Sequence, residues 1–462
     1  MVFSSTLFLF WFLPVVLIGY YLGGKKAKNY WLLLASLFFY SWGEPKYVLL
    51  MFTLIVINYI CGLLLARDHN RYLLCATVIF NLGILGYFKY FNFLMETVNA
   101  VLSLIGGQTV SLNQIALPIG ISFFTFQIMS YVIDVYRGTV PPQKSLAKLA
   151  LYISLFPQLI AGPIVRYSDV AAQIDERNVT LGGIYTGAVR FMIGLSKKVL
   201  LSNQMAAIAD AAFIQSDPPA LLAWMGAVAY ALQIYFDFSG YSDMAIGLGK
   251  LFGFDFLENF NYPYISSSVK EFWRRWHISL SSWFRDYLYI PLGGSHCSRE
   301  KTYRNLLIVF SMTGLWHGAS WNFVVWGLWH GAFLILERVL GNRFRMPKWL
   351  GHIYTMLVVL IGWVFFRADT LGQAAVYLRS MAGNPLEGAL YSLSHLDREK
   401  VFFFALSLIF CLPAGKWINS RLGETSRSFA QTARDTALAA VFFVTILYVV
   451  SSGFNPFIYF RF

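Results

Sequence analysis

Apolar runs close to the length of a membrane span recur along the whole chain. They lie near 5–22, 30–43, 47–66, 72–93, 117–136, 147–163, 184–201, 221–236, 242–254, 304–319, 321–340, 352–367, 401–418 and 437–453. A bilayer core is crossed by a helix of about 20 apolar residues, and inside it backbone polar groups must be satisfied within the protein. The expected class is therefore an all-α polytopic membrane protein. The runs predict roughly eleven to fourteen helices. Short runs such as 30–43 and 242–254 suit partial or re-entrant pieces. Only 13% of residues are charged, against about 25% in soluble proteins. No polar linker divides the 462 residues, so one integral membrane domain over 1–462 is expected.

The net charge of +13 does not point to nucleic acid. Lysines and arginines fall in the short segments between apolar runs, as in Lys25-Lys26-Ala27-Lys28 and Arg338 to Lys348, which the positive-inside rule explains. The N-terminal run has no basic stretch before it and no cleavage site after it, so it is not read as a signal peptide. The lysines that follow predict an outside N-terminus and a cytoplasmic 24–29 loop. Cys61, Cys75, Cys297 and Cys411 show no metal-ligand or disulfide spacing. No metal site is expected.

The stretch 311–331 carries His317 and His330, each in the pentapeptide Leu-Trp-His-Gly-Ala, inside an apolar run. Ionisable groups in membrane segments are costly and usually serve function. Packing histidines are the bland alternative. The glycines flanking His317 let a substrate or another helix come close. The two histidines are thirteen positions apart (330 − 317), roughly opposite faces of one helix. They share a site only if the helix breaks near Ser320-Trp321-Asn322. His317 is the better candidate. A neutral imidazole can take a proton from an alcohol and return one to a leaving thiolate.

Residues 262–294 do not read as a span. Lys270, Arg274, Arg275 and Arg285 alternate with Trp273, Trp276, Trp283 and several tyrosines, and His277 lies among them. Such a mix suits a helix in the cytoplasmic interface, basic side toward phosphates and rings toward acyl chains. Ser266–Ser268 can supply its N-cap. Arginines beside a histidine also suit a nucleotide-bearing cofactor. Lys270, Arg274, Arg275, Arg285, Trp273 and Trp276 are the candidates to hold it. Upstream, Asp237 and Asp243 need cationic partners if buried, and the 264–290 segment offers several. Arg166, after Gly162-Pro163, reads as a helix stop or an anion contact. The chain has no Gly-x-Ser-x-Gly elbow, Walker A loop or His-Glu-x-x-His.

Several of these stretches together resemble the membrane-bound O-acyltransferase superfamily, in its bacterial alginate O-acetyltransferase branch. They are Phe272–Gly294, Thr313–Trp321, Tyr235–Ala245, Ile160–Arg166 and the tail Asn455–Phe462. The resemblance covers essentially the whole chain, with a core over about 117–367. It implies a ring of helices around a thinned centre, with a central tunnel formed by funnels that meet near His317. His277 would be the second histidine, lining the cytoplasmic side. It implies a multi-pass protein of the bacterial inner membrane with no permanently bound cofactor. An acetyl group from cytoplasmic acetyl-CoA would pass to an extracytoplasmic acceptor. That acceptor is often a separate serine-hydrolase-like protein that acetylates a polysaccharide such as alginate. The residues agree with this. The basic segment would hold the donor's phosphates, His317 would act as general base, and Trp316, Trp321 and their neighbours would exclude water. The alternative is a proton-coupled transporter or lipid-linked sugar flippase, with Asp237, Asp243 and the histidines as relay. No matched pair of interrupted helices supports it.

Overall fold

The computed structural model describes residues 1–111, 113–341, 346–419, 424–451 and 457–458. Among them there is no strand. Two compact units form, Met1–Gly187 with Ala245–Leu257, and Ala188–Met244 with Glu258–Phe462.

The first unit opens with a π-helical turn, Phe8–Phe12, continued by α1 (Leu13–Leu22). There follow α2 (Lys25–Gly43), α3 (Tyr47–Asp68), α4 (Arg71–Leu104), α5 (Ile121–Arg137), α6 (Leu146–Ser154), α7 (Phe156–Leu159) and α8 (Tyr167–Asp175). The 147–163 run is thus broken at Leu155, with Pro157 in the first turn of α7. Aromatic rings fill its centre, Phe3 to Phe8 at 4.8 Å and Phe8 to Phe156 at 6.2 Å between centroids. Asn58 of α3 and Asn81 of α4 exchange side-chain hydrogen bonds of 3.0 and 2.8 Å. Where lipid offers no alternative partner, such an amide pair ties two helices together. Arg166 is the N-cap of α8, its backbone N–H donating to Asp169 Oδ2 at 3.0 Å.

Two helices contribute to both units, α9 (Leu181–Ser196) and α11 (Ala220–Leu251). Between them lie a π-helical stretch, Lys197–Ser202, and α10 (Asn203–Phe213). The second unit continues with the short α12 (Val269–Arg275) and α13 (Ile278–Phe284), then α14 (Arg299–His317), α15 (Trp321–Leu340) and α16 (Lys348–Arg367). It ends with α17 (Leu371–Met381), α18 (Ala389–Ser394), α19 (Arg398–Phe410), α20 (Ala414–Asn419) and α21 (Glu424–Ser451). Of the tail motif 455–462, only Phe457 and Ile458 fall within the described residues.

Among the described residues six helices are long and apolar enough to cross a membrane: α3, α4, α11, α15, α16 and Ala430–Ser451 of α21. Many of the remaining apolar runs form shorter helices. Run 221–236 and run 242–254 as far as Leu251 belong to one 32-residue helix, α11, so 242–254 is no separate re-entrant piece. The polar residues between the two runs do not interrupt backbone hydrogen bonding. The apolar window of α11 is 78% buried inside the protein, which makes α11 a helix packed against protein more than against lipid.

Glycines set the closest approach of α14 and α15. A Cβ on Gly314 would lie 2.1 Å from the Phe323 carbonyl oxygen, and one on Gly327 2.2 Å from that of Phe310. Backbone cannot yield as a side-chain tip can. Gly314→Ala is expected to destabilise the hairpin by about 1–3 kcal/mol, the usual cost of overpacking. A lower thermal midpoint of the detergent-solubilised protein checks this. An unchanged midpoint would mean that α14 can slide away from α15.

Candidate active site

The helix break that two histidines on one face require is present. α14 ends at His317, Gly318 is extended, and α15 starts at Trp321. The turn folds α15 back along α14, so His317 and His330 sit on either side of Trp326. Ring centroids are 5.2 Å apart from His317 to Trp326 and 5.2 Å from Trp326 to His330. The close neighbour that the glycines beside His317 admit is a helix. A Cβ on Gly318 would strike the Phe323 ring at 2.0 Å.

His277 joins from the other motif. It separates α12 from α13 with a left-handed backbone, φ 45° and ψ 55°. Its ring centroid lies 6.2 Å from that of His317 and 6.1 Å from that of Trp316. Phe238 and Phe260 each stand 6.1 Å from it. Phe366 closes against His317 at 5.2 Å. The three imidazoles are buried, at 2%, 3% and 0% exposure for His277, His317 and His330. Among the described residues His277 Nδ1 and both ring nitrogens of His330 have no hydrogen-bond partner. The centre is thus an aromatic enclosure in which the His277 and His317 rings meet edge-on, their planes 65° apart.

His330 is held differently. Trp273 and Trp326 cross it edge-on at 5.1 and 5.2 Å, and Phe272 stacks at 6.5 Å. A Cβ on Gly362 would meet its Nε2 at 2.7 Å. Ring faces and the backbone of α16 surround it.

The 262–294 segment folds as a break, not as one interfacial helix. Ser268 caps α12, its Oγ accepting from Glu271 N at 3.0 Å. Glu337 of α15 accepts from the N–H groups of Val269 (2.6 Å) and Lys270 (3.0 Å). Trp273 and Trp276 are buried at 8% and 2% exposure, so their rings face protein and not acyl chains. Trp276 packs on Phe272, Phe260 and Trp363. Lys270, Arg274 and Arg285 are exposed. Arg275 is committed to Glu271 at 2.9 Å and donates to the Asn261 carbonyl at 3.1 Å. Arg285 pairs with Asp286 at 2.6 Å.

The two aspartates are ion-paired, but not with that segment. Asp237 meets Lys198 at 2.5 Å, both nearly fully buried. Asp243 meets Arg190 at 2.6 Å and Lys197 at 2.7 Å. Arg190 also binds Glu258 at 2.6 Å. Close crossing of α9 and α11 causes this, since a Cβ on Gly194 would lie 2.5 Å from the Gly240 carbonyl oxygen. Side chains one turn either side then meet at ion-pair distance. Sequence reasoning also missed Trp326, Trp363 and Phe366 as walls. Trp321, expected to exclude water, is 53% exposed.

A polar cavity of ≈ 480 Å³ lies beside the enclosure. Arg190, Lys197, Asp243, Glu258 and Tyr235 line it, and Asn259, Phe260 and Ile278 bring its wall to the residues around His277.

Fold and site together define a polytopic helical membrane protein with two buried histidines side by side in an aromatic centre. The profile of the membrane-bound O-acyltransferase family matches residues 140–368. The chain is 49% identical to a probable alginate O-acetylase of Pseudomonas aeruginosa, over 87% of this chain and 78% of that protein. It is 41% identical to a probable alginate O-acetylase of Pseudomonas putida over the full length of both. It is 35% identical to a peptidoglycan O-acetyltransferase of Helicobacter pylori, over 100% of this chain and 98% of the other. The chain belongs to the membrane-bound O-acyltransferase family. It is therefore an enzyme, an O-acyltransferase, and the transporter alternative gives way.

Proposed function

We propose that this enzyme takes an acetyl group from cytoplasmic acetyl-CoA and delivers it across the inner membrane. The acceptor is a hydroxyl on a surface or secreted polysaccharide of the alginate kind, reached with the help of a separate serine-hydrolase-like protein. Two relatives are probable alginate O-acetylases and a third is a peptidoglycan O-acetyltransferase. All three names specify O-acetyl transfer to a polymer.

The observation that carries the reading is the 6.2 Å approach of the His277 and His317 rings inside an aromatic wall, with an open polar cavity of ≈ 480 Å³ alongside. His317 takes the proton of the acceptor hydroxyl. The oxygen attacks the thioester carbonyl, the tetrahedral intermediate collapses, and the C–S bond breaks. The imidazolium returns its proton to the thiolate, so the proton balance closes on CoA thiol and O-acetyl ester. His277 stands across from His317 and binds the reacting groups. Lys270, Arg274, Arg275 and Arg285 hold the donor's phosphates. Trp273 and Trp276 wall the pantetheine side.

The test is transfer of label from acetyl-labelled CoA in membranes of the source cell that contain the full chain together with the partner protein, with alginate as acceptor. Ester-linked label in the polymer and equimolar thiol release are expected. No acetyl transfer with a folded enzyme would sink the donor assignment. Label on peptidoglycan but not on alginate would move the acceptor.

A further inference from the structure

Among the described residues three non-glycine residues have a left-handed backbone, and one of them is His277. Such a conformation is costly for an L residue and persists only where the surroundings impose it. Against the turn lies a buried amide. Asn259 is 1% exposed, in the irregular segment between α11 and α12. Its main-chain carbonyl accepts from Ile278 N at 2.9 Å. Its Oδ1 accepts from Ser279 N at 3.1 Å and Ser279 Oγ at 2.9 Å. Its Nδ2 donates to Ser242 Oγ of α11 at 3.2 Å.

The first N–H groups of a helix need acceptors, and the N-cap residue's own side chain usually provides one. His277 holds the N-cap position of α13 yet makes no side-chain cap bond. Asn259 takes over that task from another segment and anchors it to α11. The imidazole of His277 is thereby spared from capping. It turns instead toward Trp316 and His317, at 6.1 and 6.2 Å.

We infer that Asn259 is a positioning residue for His277: by capping α13 from outside, it fixes the left-handed turn and aims the imidazole at His317. The inference rests on the proposed role of His277 in acetyl transfer. Asn259 also lines the polar cavity next to Phe260 and Ile278.

A double-mutant cycle with a kinetic readout tests it, using full-length protein in membranes and acetyl-CoA with alginate as substrates. Asn259→Ala is expected to lower kcat about 10- to 100-fold, the scale set by a misplacement of around 1 Å. The KM for acetyl-CoA should change less than about 3-fold, since binding contacts are kept. Asn259→Asp, which keeps an acceptor at the Oδ1 position for Ser279 and can accept from the Ser242 hydroxyl in place of donating to it, should recover most of the rate. In a His277→Ala background, Asn259→Ala should cost almost nothing further, because coupled residues do not add. A loss that adds in full overturns the inference while leaving the function intact, and so does an Asn259→Ala enzyme of undiminished kcat. An unaltered rate in His277→Ala alone overturns the inference together with the role given to His277, while acetyl transfer itself stands. If Asn259→Ala does not accumulate, Asn259→Ser serves in its place, because its hydroxyl is too short to reach Ser279.

Discussion

His317→Ala is expected to lower acyl transfer by about 10²–10⁴-fold, the range attributed to a positioned general base. The argument is geometric. His317 is the last residue of α14, and Trp316, Trp326 and Phe366 enclose its ring at 5.0, 5.2 and 5.2 Å. Those aromatic neighbours hold the ring in place without providing another base. The replacement leaves the α14–α15 turn intact, because Gly314 and Gly318, not His317, set the helix approach. The protein should therefore accumulate and elute from detergent as the parent does. His317→Gln, closer in shape, should be equally inactive, since an amide cannot take the proton. The assay is label transfer from acetyl-CoA. Full activity in a folded His317→Ala enzyme would remove this residue from the chemistry and leave His277 as the candidate base.

The second large effect concerns stability. Asp237→Ala should destabilise the second unit by about 3–5 kcal/mol, the cost of breaking a buried ion pair from one side. Asp237 accepts from Lys198 at 2.5 Å, from Ser202 Oγ at 3.3 Å and from the backbone N–H of Ile458 at 2.6 Å. Lys198 Nζ also stands over the Phe457 ring at 4.8 Å. One carboxylate thus joins the π-helical stretch after α9, α11 and the chain's C-terminal segment. Removal takes this carboxylate from an ammonium at 3% side-chain exposure. Thermal unfolding in detergent should show a midpoint several degrees lower, and Asp237→Asn should lose less. The double replacement Asp237→Leu with Lys198→Met should regain most of the midpoint, because apolar residues of similar volume need no counter-charge. If Asp237→Ala melts with the parent, the pair does not hold the C-terminal segment. Tail truncation before Phe457 should then be harmless as well.

The histidines illustrate how far sequence spacing reaches. Thirteen positions on a 3.6-residue helix put the two rings on opposite faces unless the helix breaks near Ser320; spacing left that open, and the structure supplies the break, with α14 ending at His317. Spacing does not say what surrounds each ring. His330 reads like His317, down to the pentapeptide, yet it is wedged between Trp273 and Trp326. The tryptophans of the 262–294 segment have the composition of an interfacial anchor. They are buried because the segment breaks at His277 and folds into the second unit. Asn259 has no local signal at all, since its partners lie 17 and 20 positions away in the chain.

The apolar runs by themselves determined a helical membrane protein, because a bilayer accepts few other folds for such a chain. The motifs around His277 and His317 determined the acyltransferase family. Tertiary structure alone decided that Asp237 and Asp243 pair with Lys198, Arg190 and Lys197. It also decided that Trp321 faces outward while Trp326 faces in, and that an asparagine caps the helix after His277. The physical reason is that periodicity reports one helix at a time. The rotation and depth at which two helices cross depend on where glycines let backbones touch, and those crossings choose the partners of every buried charge.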